Sequence, residues 1–155
     1  MPIFNLVSGE LEPEEDPRPG YHRFSTRVGQ RVGGERIGAS LYELGEGERV
    51  CPYHYHHGTE EWLYVVAGAP TLRTPEGEQA LRPGDAVCFP VGPEGAHDVR
   101  GPGRVLILSA NRWPDVVVYP DSDKLGARPA PYPEQMADRG NFRRSDAVGY
   151  WEGEA

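Results

Sequence analysis

Lysine is almost missing from this chain. Fifteen of its 16 basic residues are arginine and only Lys124 is lysine; against 24 acidic residues the net charge is −8. Such a balance argues against nucleic acid and against anionic membrane surfaces as partners. The arginine bias, together with abundant glycine, proline and alanine, reads as genome composition rather than chemistry. Cysteine is scarce too. Cys51 and Cys88 do not make a disulfide scaffold, and in a cytoplasmic chain, the expected location, they are free thiols. No apolar run approaches the ~18 residues of a membrane span. The opening MPIFNLVSGELEPEED is acidic and has no basic region, so no secretory signal is expected there.

Long stretches without a helix breaker are also lacking. Glycine (20) and proline (16) interrupt the chain almost everywhere, and the longest run free of both is Arg104 to Trp113. A mean helix needs roughly 11–12 residues. A helical bundle and a doubly wound fold with crossover helices are therefore excluded in practice. Short strands joined by many turns remain, which means an all-β sandwich or barrel. With 155 residues, one domain with one core is expected.

Three regions differ in character. Residues 1–34 are acidic and proline-rich at the start and read as an N-terminal arm. Residues 35–119 form the dense part. Their apolar runs are broken by GEGE, PEGE, RPGD, GPEG and GPG turns, at the spacing expected of an all-β domain. Predicted strands are Arg36–Leu44, Val50–His56, Glu61–Ala67, Thr71–Thr74, Gln79–Leu81, Ala86–Pro90, His97–Arg100, Val105–Ser109 and Asp115–Tyr119. Residues 120–155 are a proline-rich tail with a helix-compatible piece near Pro133–Arg139. The tail is expected to pack on the barrel or on a partner subunit.

Four of the five histidines fall between positions 54 and 97. In a strand His54 and His56 share a face, while His57 points away. Two imidazoles side by side on one barrel wall are half of a metal site. A carboxylate on the inner face of the next strand, Glu61 or its neighbour Glu60, would add a third ligand; strand register decides which one points inward. His97, after a Gly/Pro loop, would close the site from the far side. On an extended strand Cys51 falls with Tyr53, opposite His54, which argues against a ligand role. Tyr53, Tyr55, Trp62 and Tyr64 read best as packing aromatics. Arg49, Arg73 and Arg82 read as solvated charges rather than substrate ligands, and His22 as structural.

Two strings carry a family likeness. The first is Gly47, His54-Tyr55-His56, Glu61 and Gly68; the second is Gly84, Pro90-Val91-Gly92 and His97. Together they resemble the paired motifs of the cupin superfamily, over about residues 36–110. The likeness extends to stand-alone bacterial cupins that carry P-Y-H-x-H-x-x-x-E-E-W and end in an aromatic, acidic tail, here Tyr150-Trp151-Glu152-Gly153-Glu154. The chain departs from the family pattern in two longer spacers, after Gly47 and after Gly92, and in Gly101 where asparagine is frequent.

The resemblance implies a jelly-roll barrel (a double-stranded β-helix), usually dimeric, with one divalent metal inside. By carry-over His54, His56, Glu61 and His97 are the ligands, and the spacing to Gly68 favours Glu61 over Glu60. Three imidazoles and a carboxylate suit Fe, Mn, Ni, Co or Zn alike. Three functions then compete. One is a metalloenzyme, a dioxygenase or an isomerase or lyase, acting on a small oxygenated or anionic molecule. The second is a non-catalytic small-ligand binder or sensor. The third is a metal-free barrel of the sugar-nucleotide epimerase kind.

Overall fold

A computed structural model describes residues 1–14, 18–129 and 139–154. The first strands are β1 (Glu12–Pro13), β2 (Arg23–Thr26), β3 (Ile37–Leu44), β4 (Tyr55–His56), β5 (Glu61–Gly68), β6 (Thr71–Thr74) and β7 (Gly77–Ala80). They are followed by β8 (Ala86–Phe89), β9 (Asp98–Arg100), β10 (Gly103–Ala110), β11 (Asp115–Tyr119), β12 (Lys124–Arg128) and β13 (Gly140–Arg143). One helical turn, α1 (Val28–Arg31), separates β2 from β3. The strands form three sheets, ordered β1-β2-β3-β10-β5-β8, β13-β12-β11-β4 and β7-β6-β9. Their pairings are antiparallel. This is the all-β fold the turn spacing predicts, in the jelly-roll form that the family resemblance implies. No helix among the described residues is long and apolar enough to cross a membrane.

Alternation sets which side chains enter the barrel. Along β5, Glu61, Leu63 and Val65 are buried while Trp62 and Tyr64 are exposed. One end of the interior is filled by Leu44, Leu63, Val65, Val105 and Ile107, packed against Val50, Leu72, Leu81, Phe89 and Val99. Burial of each such side chain contributes roughly 1.5–3 kcal/mol.

Toward the other end the same inward-facing rows turn small and polar. Ser40 and Gly38 follow Tyr42 along β3, and Ser109 follows Ile107 along β10. The register aligns Ser109 with Gly38 on one side and with Glu61 on the other. Short side chains cannot fill that end, and a cavity of about 410 Å³ remains there.

The flanking segments add to this frame. Phe4, Leu6 and Leu11 pack with Val28, Leu41 and Leu106 in a second apolar cluster. On the C-terminal side β12 and β13 extend the sheet that carries β11. The helix-compatible piece at Pro133–Arg139 lies outside the described residues except for Arg139. Tyr150 and Trp151 are 85% and 77% exposed, so they do not cap this chain's own barrel.

The strand predicted over Val50–His56 is much shorter. Only Tyr55–His56 is regular, preceded by bends and an isolated bridge at His54. The period-two argument therefore fails before His54. Cys51 does not point away from His54; its Sγ lies 3.5 Å from His54 Nδ1 and it lines the cavity.

Candidate metal centre

Four side chains from three segments meet at the polar end of the barrel. His54 and His97 are joined backbone to backbone, each N–H donating to the other's carbonyl at 3.1 and 2.9 Å. His56 lies on β4, held to β11 through its pairing with Val117. Glu61 opens β5 and points inward, whereas Glu60 stays outside and accepts a hydrogen bond from Trp62 Nε1 at 2.9 Å. The Glu61 Oε2 atom is 3.8 Å from His54 Nε2, 3.4 Å from His56 Nε2 and 3.5 Å from His97 Nε2. Ligand atoms of His54, His56 and Glu61 all lie within 4.8 Å of one another, so this cluster could hold a metal ion.

The orientation of each ring is set from behind. His54 Nδ1 donates to the Pro52 carbonyl and His97 Nδ1 to the Gly95 carbonyl, both at 2.9 Å. A carbonyl only accepts, so Nδ1 carries the hydrogen and Nε2 presents its lone pair to the centre. His56 Nδ1 bonds Asp115 Oδ2 at 2.5 Å. Asp115 is itself fixed by the Gly58 N–H on Oδ1 at 2.8 Å. On the carboxylate side, Ser109 Oγ donates to Glu61 Oε1 at 2.9 Å and leaves Oε2 facing the rings. Phe89 stacks on His97 at 3.7 Å between centroids. Three imidazoles with Nδ1 satisfied and Nε2 convergent on a carboxylate are what a divalent transition metal requires.

Electrostatics separates the three rings. Burial, with the charge of neighbouring His97, pushes His54 down to about 4. His97 is likewise lowered, chiefly by burial. Burial also works against protonation of His56, but hydrogen bonds to Asp115 and Glu61 outweigh it and lift the ring to about 9. Burial would raise Glu61; the His56 hydrogen bond and the imidazole charges prevail and hold it at about 2. At neutral pH the metal-free cluster thus carries one carboxylate and one imidazolium, with His54 and His97 neutral.

Asp115 was not among the residues singled out from sequence, nor was Ser109. Asp115 begins β11, 59 positions after His56, and only the pairing of β4 with β11 brings them together. The remaining histidines stay away: His57 is exposed, and His22 pairs with Glu48 at 3.3 Å on the surface.

The arginines read as solvated charges, Arg49, Arg73 and Arg82, do not line the cavity. Arg73 pairs with Asp121 and lies over the Tyr53 ring at 3.9 Å, and Arg49 lies 3.6 Å from Asp98. The arginines that line the cavity are Arg23, Arg27, Arg128 and Arg139. Of the aromatics around His54, Tyr53 is buried, but Trp62 and Tyr64 are 46% and 40% exposed on the outer face of β5 rather than packed in the core.

The family model for a cupin domain matches residues 40–110. Among solved structures, one from Acidithiobacillus ferrooxidans, provisionally named a sugar phosphate isomerase, is 26% identical. The match covers 92% of this chain and 90% of that one, with a TM-score of 0.77. A second, a sugar phosphate isomerase from a cupin superfamily from Silicibacter pomeroyi, is 24% identical over 97% and 98% of the two chains, with a TM-score of 0.75. A Thermus thermophilus protein is 27% identical over 71% and 97%, with a TM-score of 0.53. No curated protein matches the chain.

Proposed function

Residues 40–110 make this chain a member of the cupin superfamily, and on that premise we propose that it is a metal-dependent isomerase acting on a small anionic, oxygenated molecule of the sugar phosphate class. The observation that carries this reading is the convergence of His54, His56 and His97 Nε2 on Glu61 Oε2 at the wall of an arginine-lined cavity. The names of the two structural neighbours agree with it.

His54, His56, Glu61 and His97 would hold one divalent ion, which when bound supplies Lewis-acid polarisation of a substrate carbonyl or hydroxyl. Asp115 keeps the His56 ring turned so that Nε2 faces inward. Ser109 holds the Glu61 carboxylate in one rotamer. Arginine guanidinium groups match phosphate and carboxylate geometry, and Arg23, Arg27 and Arg139 on the cavity wall set the preference for an anionic substrate. Aldose–ketose isomerisation moves one proton from C2 to C1 and a second from the C2 hydroxyl to the C1 oxygen, with no net oxidation, and such a reaction needs an orienting pocket and a polarised oxygen.

Metal content by mass spectrometry on tag-free protein tests the centre. About one ion per chain is expected, lost in His54→Ala/His56→Ala. Asp115→Ala should load about 10- to 100-fold more weakly, because it frees the His56 ring. Sugar phosphates incubated with loaded protein in D2O should exchange a carbon-bound proton, seen by NMR. Ligands that bind and are recovered with no exchange would sink the isomerase reading and leave a binding protein in its place.

The chain is also proposed to form a homodimer. Strand β8 is an edge of its sheet, and bare edges are covered in soluble proteins. Trp62 and Tyr64 are exposed on the neighbouring β5, and the tail aromatics are without cover. Sedimentation equilibrium giving a monomer mass at micromolar concentration would remove this claim. Two free thiols suit a reducing compartment, and we place the protein in the cytoplasm on that ground.

A further inference from the structure

Beside the metal cluster the cavity wall carries a phenol that the proposed chemistry has not yet used. Tyr119 lies at the end of β11, and its ring stacks on His54 with 6.0 Å between centroids and 26° between planes. Its hydroxyl oxygen accepts a hydrogen bond from Arg128 Nη2 at 3.2 Å. The hydroxyl's own hydrogen must then point elsewhere, and among the described residues nothing accepts it. Tyr119 lines the cavity.

Arg128 is held as a fixed part of the wall. Its Nη1 donates to the carbonyls of Ala127 at 2.9 Å and Gly140 at 3.2 Å, and its Nη2 also reaches Asn141 Oδ1 at 3.0 Å. All of these acceptors are neutral, and no carboxylate pairs with it among the described residues. The guanidinium folds back over Gly126. A Cβ at position 126 would stand 2.9 Å from both Nη1 and Nη2, so this seat exists only because residue 126 has no side chain. A permanent positive charge, paired with no carboxylate among the described residues, therefore sits on the oxygen of a phenol beside the metal cluster.

We infer that Tyr119 is a catalytic residue, whose hydroxyl donates a hydrogen bond to the oxygen that gains negative charge in a substrate held at the cluster, and that Arg128 is the positioning residue that polarises this donor. A hydrogen bond assisted by charge is roughly twice as strong as a neutral one, and a chain of two such bonds polarises further where the local dielectric is low. The inference rests on the proposed function for its oxyanion, but the geometry suits any ligand that presents an anionic oxygen to the cluster.

Two probes separate the inference from the reading beneath it. Metal-loaded protein is titrated calorimetrically with phosphoglycolohydroxamate, which mimics an enediolate bearing a phosphate, and with oxalate, a small planar anion. Wild type is compared with Tyr119→Phe, Arg128→Gln and the double variant. Phenylalanine keeps the stack on His54, so metal content and melting temperature should be unchanged. Affinity for both probes should fall about 10- to 100-fold in Tyr119→Phe. In Arg128→Gln it should fall less, and in the double variant by no more than in Tyr119→Phe alone, because Arg128 acts through the phenol.

Equal affinity in Tyr119→Phe and wild type overturns the role of Tyr119. An effect of Arg128→Gln that is the same in both backgrounds overturns its role as polariser. Wild type that binds oxalate but not the hydroxamate overturns the isomerase reading, while the oxalate series still decides on Tyr119. Wild type that binds neither overturns both.

Discussion

Glu61→Gln is expected to weaken divalent metal binding 100-fold or more while the barrel stays folded. Loss of a partner behind a ligand costs about 10- to 100-fold, and removal of a direct ligand costs at least the upper figure. The pH dependence supplies a sharper test. In the metal-free chain His56 is held at about 9, so it is protonated at neutral pH, while Glu61 is ionised and His54 and His97 are neutral. An ion arriving at Nε2 displaces one proton. Apparent affinity should therefore rise about tenfold per pH unit from neutrality up to the His56 value and then level off. Calorimetry in buffers of different ionisation enthalpy reads that proton directly. In Glu61→Gln one of the two carboxylates that hold the imidazolium is gone while Asp115 stays, and proton release at neutral pH should fall below that of wild type. A wild type that releases none would show that the charge assignment is wrong.

The same pair shapes the stability of the metal-free chain. Glu61 is depressed to about 2, so its contribution is present above the ordinary carboxylate value and is lost as the pH falls through about 2. His56 is raised, so its contribution is present below the ordinary imidazole value and is lost as the pH rises through about 9. The His56–Glu61 interaction enters both shifts and is counted once, while the His56 shift also contains its bond to Asp115. The His56–Glu61 interaction is fully present between roughly pH 4.5 and 6.5. Melting curves of metal-free wild type should broaden downward on both sides of that window, and those of Glu61→Gln should be flatter.

Gly68→Ala is expected to destabilise the fold by on the order of 2–5 kcal/mol. Gly68 ends β5 with a φ of +85°, and a Cβ there would lie 2.5 Å from Gly103 Cα and 2.8 Å from the Pro102 carbonyl oxygen. Both atoms are backbone, so neither moves cheaply. The β5–β10 register would have to shift at the point where Gly103 pairs Gly68. Gly47 provides the contrast. It also has a positive φ, +73°, but nothing lies within 4 Å of where a Cβ would stand. Gly47→Ala should cost only about 1 kcal/mol, the strain of the left-handed backbone. Urea unfolding of the two variants measures the difference. Equal losses would mean that close approach at Gly68 is not what the motif glycine serves.

The sequence alone determined the class of the fold and most of the cluster. Glycine and proline at short intervals left no room for helices of ordinary length, and the chain is built of antiparallel strands. Alternation put Glu60 and Glu61 on opposite faces because a strand has a strict period of two, the family spacing to Gly68 favoured Glu61 as the inward one, and β5, regular from its first residue, buries Glu61. Where regularity stopped, so did legibility. Residues 50–53 are bends, and Cys51 turned out on the cavity side beside His54.

Only the tertiary structure decided what surrounds the four side chains. Asp115 reaches His56 because β11 lies against β4. Arg128 reaches Tyr119 because Gly126 leaves its seat open. The arginines that look into the cavity come from β2, β12 and the segments beside them, not from the motif strings. Such contacts join residues far apart along the chain and depend on which strands become neighbours. A local pattern records which face a residue takes, but strand order, set by burial of the whole core, selects what that face meets.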